Sequence, residues 1–126
     1  MIKAALWFDF GEKGKIGPSR IAVLEKIGEH GSISAAARDL GITYKHAWHL
    51  VGELNAIFDS QLVEGSTGGY QGGGSRLTQM GRIVASRLWA IETRAVTSAQ
   101  AEFEALLSEL RQMKSPGVSK PGRGAV

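Results

Sequence analysis

Two short stretches of helical spacing that meet at a glycine constrain this chain more than any other feature. Ala35-Ala36-Ala37-Arg38-Asp39-Leu40 is a compact run of helix formers, with Ser34 before it as a capping residue and Gly41 to end it. Ile42 follows, then Thr43, a second capping residue. Beyond it Ala47, Leu50, Val51, Leu54, Ile57 and Phe58 recur at steps that draw one apolar stripe along a helix. Two helices joined by about four residues with a glycine at the corner form a helix-turn-helix. Ala36 and Ala37 are small enough to let the two helices cross closely, and Ile33, Leu40 and Ile42 have the spacing to fill the core beneath.

The flanks extend this unit. Ala4–Phe10 is a short apolar run that reads as a strand, and Gly11–Gly17 reads as a loop. Pro18 suits a first helical position, Ile21, Leu24 and Ile27 follow at near-helical spacing, and Gly31 stops that first helix. After the third helix, Leu62-Val63 and Arg76-Leu77-Thr78 flank a glycine-rich stretch, which reads as a β-hairpin wing. Thr78 can cap a last helix to about Lys114, striped by Met80, Val84, Leu88, Ile91, Ala95, Ala99, Phe103, Leu106, Leu110 and Met113. At roughly 50 Å such a helix outruns so small a core, and its outer half can bury that stripe only against another chain.

The expected fold class is therefore mainly α with a small β-sheet: a winged helix-turn-helix over residues 1–78, a long dimerisation helix over 79–114, and a disordered tail over 115–126. The expected dimer contacts are Val84, Leu88, Ile91, Ala95, Phe103, Leu106 and Leu110.

Charge and composition narrow the function. The net charge of +3 is modest, but its placement is uneven. Residues 1–58 carry seven basic and six acidic side chains, whereas Gly65 to Ile91 holds Arg76, Arg82 and Arg87 and no acid, a footprint suited to phosphate. The absence of cysteine excludes disulfides, thiol nucleophiles and cysteine-ligated metal centres. No apolar run reaches the roughly 20 residues of a membrane span. No signal-peptide pattern opens the chain, so a cytoplasmic protein is expected.

On the third helix the inward stripe turns Lys45, His49, Gly52 and Ala56 outward, with Trp48 and Glu53 at the margins. Polar residues at the start of a helix and small ones further along suit entry into a major groove. Trp48 admits two readings, and its size favours packing against the first or second helix over contact with a base or sugar.

Other chemistries fit less well. Gly74 is followed by Ser75-Arg76 rather than the Lys-Ser/Thr of a Walker loop, and the strand–helix context of a dinucleotide fingerprint is missing. His46 and His49 have chelating spacing but no evident third ligand, so no metal and no cofactor is expected. No nucleophile or general-acid setting points to an enzyme. A protein-interaction adaptor, which reads no DNA, is the alternative.

Gly31 through Trp48, Leu54-Asn55, the glycine runs Thr67-Gly68-Gly69 and Gly72-Gly73-Gly74, Leu77-Thr78 and Gly81 together resemble the N-terminal domain of the molybdate-responsive ModE regulators. More distantly the chain looks like the DNA-binding domain of LysR-type regulators. The likeness covers roughly residues 4–95. It implies a winged helix-turn-helix that dimerises through its last helix and parts of its first and reads a palindromic site in double-stranded DNA. The candidate DNA contacts are Ser34, Thr43, Tyr44, Lys45, His46, Trp48 and His49, with Thr67, Gly68, Gly69, Gly72, Gly73, Ser75 and Arg76 of the wing along the backbone. ModE proteins continue into molybdate-binding domains beyond this region, so direct molybdate binding by this chain is not expected.

Overall fold

The computed structural model describes residues 4–66 and 74–114. Its elements are β1 (Phe8–Asp9), a single 3-10 turn (Gly11–Lys13), β2 (Lys15–Ile16), α1 (Pro18–His30), α2 (Ile33–Leu40), α3 (Tyr44–Phe58), β3 (Val63–Ser66), β4 (Gly74–Leu77) and α4 (Gln79–Lys114). The expected winged helix-turn-helix with a long last helix is what forms. The expected disordered tail at 115–126 and the wing tip at 67–73 lie outside the described residues.

The amino-terminal strand is shorter than its apolar run implied. β1 pairs antiparallel with β2, Phe8 opposite Ile16 and Asp9 opposite Lys15. Pairing stops there because Gly17 caps α1 and Pro18 begins it, leaving the return strand no more length. Trp7 instead lies over Gly17, where a Cβ would stand 2.7 Å from the indole ring. The loop between β1 and β2 is held by Asp9 Oδ1, which accepts from the Gly11 amide at 2.8 Å.

Two helix ends follow the sequence closely. Gly31 and Gly41 both adopt the left-handed conformation, each at φ 71°. After α2 the Ile42 amide donates to the Ala37 carbonyl at 3.0 Å, closing a Schellman turn that points the chain into α3. The start of α2 differs from expectation. Ser32, not Ser34, is its cap, with Oγ accepting from the Ala35 amide at 2.9 Å. The cap two residues earlier brings Ile33 into the helix and into the core, and leaves Ser34 exposed in the first turn.

The core joins α1 (Ile21, Val23, Leu24, Ile27), α2 (Ile33, Ala36, Ala37) and α3 (Ala47, Leu50, Val51, Leu54, Ile57). Ile16, Leu62, Val63 and Leu77 close it from the strands, and Val84, Ala85 and Leu88 close it from α4. Val84 and Leu88, expected at a dimer interface, are thus buried against their own chain. The inward stripe of α4 serves two purposes in succession: its first turns complete the domain core, and no residue from Trp89 to Lys114 is buried.

The wing is bolted to this core by backbone. β3 and β4 pair antiparallel with Val63 opposite Leu77 and Glu64 opposite Arg76. The Ser75 amide donates to the Gly31 carbonyl at 2.9 Å, and the Thr78 amide to the Leu62 carbonyl at 2.9 Å. Thr78 caps α4 as expected: its Oγ1 accepts from the Gly81 amide at 2.9 Å and donates to the Gln61 carbonyl at 2.7 Å.

Candidate nucleic-acid interface

The apolar stripe of α3 is committed to the core, so the rest of that helix must face outward. Thr43 begins it, with Oγ1 accepting from the His46 amide at 3.0 Å. Tyr44, Lys45, His46, Trp48 and His49 are all exposed. Tyr44, Lys45, Trp48 and His49 together line a shallow depression of about 250 Å³. Trp48 is 56 % exposed, which overturns the packing reading that its size favoured. The reason lies in the spacing: Ala47 and Val51 take the inward positions on either side of it, so the indole is left mostly in solvent.

Further along, Gly52 leaves open space, with no atom within 4 Å of where a Cβ would stand. Glu53 is the only carboxylate of α3, and Arg20 of α1 pairs with it. From Tyr44 to Gly52 the helix therefore carries no negative charge. At its far end Asn55 holds the exit: Oδ1 accepts from the Leu62 amide at 2.9 Å and Nδ2 donates to Gln61 Oε1 at 3.0 Å. That clamp between α3 and the wing root was not anticipated beyond the bare presence of Leu54-Asn55.

The wing contributes less net charge than the run of arginines suggested. Glu64, one residue outside the acid-free window, stands opposite Arg76, and its Oε2 accepts from Arg76 Nε at 2.9 Å. Arg82 donates to the Leu77 carbonyl at 3.1 Å. Ser75 and Arg76 lie on β4, outside the depression on α3, and Ser34 is exposed on α2. Thr67, Gly68, Gly69, Gly72 and Gly73 lie outside the described residues.

Elsewhere, Glu29, His30 and Asp39 bring ligand atoms within 4.8 Å of one another. Lys26 Nζ sits 3.2 Å from Glu29 and 3.3 Å from Asp39, where a cation would otherwise go. Hydrogen bonds from His30 and then Lys26 hold the Asp39 carboxyl below its usual range. The cluster joins the ends of α1 and α2. His46 and His49 are not part of it. Among the described residues no helix is long and apolar enough to cross a membrane.

A three-helix core with its second and third helices joined at a tight glycine turn, followed by a two-stranded wing, defines the winged helix-turn-helix class. Residues 18–82 match the bacterial regulatory helix-turn-helix proteins of the LysR family, and the chain belongs to that family. It is 40 % identical over 101 residues to the molybdenum-pterin-binding protein MopA of Rhodobacter capsulatus, a match covering 80 % of this chain and 38 % of that protein. It is 48 % identical over 65 residues to the DNA-binding transcriptional dual regulator ModE of Escherichia coli K12, covering 52 % of this chain and 25 % of ModE. Among solved structures it resembles ArgP from Mycobacterium tuberculosis, with a TM-score of 0.47, 28 % identity, and coverage of 73 % of this chain and 30 % of that one. The chain thus spans well under half of each of these proteins.

Proposed function

We propose that this chain is a sequence-specific DNA-binding transcriptional regulator that acts in the cytoplasm as a homodimer. The observation that carries the reading is the outward face of α3: Tyr44, Lys45, Trp48 and His49 exposed together, with no free carboxylate on that face. α3 enters the major groove, Lys45 and His49 donate to base edges or phosphates, and the strands of the wing run along the sugar-phosphate backbone. The exposed outer stripe of α4, with Ile91, Leu106, Leu110 and Met113, pairs with that of a second copy. Two copies related by a two-fold read a palindrome whose half-sites lie about 34 Å apart. The role is binding rather than catalysis.

Fluorescence anisotropy against a duplex selected from a random pool tests this. Affinity is expected to fall steeply between low and physiological salt, because phosphate contacts release counterions. Lys45→Ala is expected to weaken selected-site binding roughly tenfold or more while leaving the melting temperature unchanged. Weak binding of equal strength to every duplex, or capture of a protein partner with no DNA affinity, would favour the adaptor reading instead.

Gly52→Ala separates fold from function. Alanine at this half-buried helix position is expected to stabilise by about 0.5–1 kcal/mol, since glycine is the poorer helix former and the space for a Cβ is open. The same methyl stands on the side offered to the duplex, so affinity is expected to drop as the melting temperature rises. A rise in both would remove Gly52 from the interface.

A further inference from the structure

Tyr44 and Trp48 are 54 % and 56 % exposed, on a helix whose inward stripe is fully occupied. They stand four residues apart and so form one row along α3, while Lys45 and His49 form the adjacent row. All four line the same shallow depression. An aromatic row left in water is costly unless a partner covers it, because large rings dominate interface energetics. The positive charge of Lys45 beside it and the absence of a free carboxylate from Tyr44 to Gly52 select a polyanion as that partner.

Within the major groove, base edges present donors and acceptors, and the one projecting apolar group is the C5 methyl of thymine. The aromatic row therefore has a single chemical match there. We propose that Tyr44 and Trp48 read thymine methyl groups, and that Lys45 and His49 beside them read or anchor the neighbouring acceptors. The inference rests on the reading of α3 as the helix that enters the groove. The two rings are about 6 Å apart along the helix axis. At about 3.4 Å per base step, that places the contacted thymines within a window of about three base pairs in each half-site.

The test replaces thymine by deoxyuridine, which removes the methyl and nothing else. In a selected duplex, one such exchange in the window of each half-site is expected to weaken wild-type binding by about 4-fold per methyl buried, or about 15-fold for the symmetric pair. Exchanges outside the window are expected to be silent. Trp48→Ala and Tyr44→Ala, both at exposed positions and so compatible with folding, are expected to bind the thymine and uracil duplexes with nearly equal affinity. 5-Iodouracil in the window is expected to crosslink on irradiation to the peptide holding these two rings. Equal binding of thymine and uracil duplexes by the wild-type chain, or discrimination that survives both substitutions, would overturn the proposal. Selection of no sequence at all would remove the regulator reading with it, whereas a selected site indifferent to its methyls removes this inference alone.

Discussion

Gly81→Ala is expected to cost about 3 kcal/mol or more of folding stability, the largest loss from a methyl added at any glycine among the described residues. The Cβ would stand 2.0 Å from the Leu62 carbonyl oxygen and 3.0 Å from its carbon. Both are backbone atoms, so no rotamer change can relieve the clash. Leu62 cannot withdraw easily, because its amide is held by Asn55 and its carbonyl by the Thr78 amide. The start of α4 must therefore shift, which loosens the Thr78 cap and the packing of Val84 and Leu88. Urea denaturation should reveal the loss, and a drop of roughly 4–8 °C in melting temperature accompanies each kcal/mol in a domain of this size. Gly28 and Gly52 provide the controls. A Cβ at Gly28 meets only the Leu77 side chain, at 3.1 Å, and one at Gly52 meets nothing. If Gly81→Ala melted like wild type while Gly52→Ala melted higher, the close approach of α4 to Leu62 would be wrong.

The double substitution Leu106→Glu, Leu110→Glu is expected to yield a folded monomer that binds the operator on the order of 100-fold more weakly. Both residues are on the exposed stripe of α4 and make no contribution to the buried core. Glutamate keeps helix propensity, so the change acts on association rather than on the helix itself. Helices rely on tertiary packing for most of their stability, and the outer turns of α4 have no such packing within one chain. Two half-sites bound by one dimer gain an effective concentration that two monomers lack, and avidity of this kind is commonly worth factors of about 10²–10⁴. Sedimentation and anisotropy measure the two consequences separately. A variant that remained dimeric would move the interface elsewhere. The groove of about 560 Å³ between α1 and α4 would then be the next surface to test. Its Glu25 carboxyl is raised above the usual range by burial and by Glu92.

Much of this architecture was legible because it is written in local chemistry. Gly41 with Thr43, the α3 stripe, Pro18 with Gly31, and Thr78 each act within a turn or two of themselves, so the sequence neighbourhood carries the signal. What stayed hidden depends on partners distant in sequence. β1 and β2 are two residues each and take their register from one another. The pairing of Arg76 with Glu64 depends on hairpin register, and the cluster of Lys26, His30 and Asp39 depends on how α1 meets α2. Val84 and Leu88 share the spacing of the outer stripe, and only the height of the domain body decides where core ends and free surface begins. For the interface, the outward side of α3 followed from helical arithmetic. The exposure of Trp48 did not, because size alone argues for burial and only the occupied flanking positions forbid it.

Gly31 joins parts that appear separate in the chain. Its left-handed turn ends α1 and leads into α2, while its carbonyl accepts from Ser75 in the wing's return strand. One peptide thus couples the support of the recognition helix to the support of the wing. On the proposed reading, a duplex that departs from the favoured trajectory strains both footholds at once instead of letting one slip. The protein would then discriminate among sites by the curvature and groove width of the DNA as well as by its base edges.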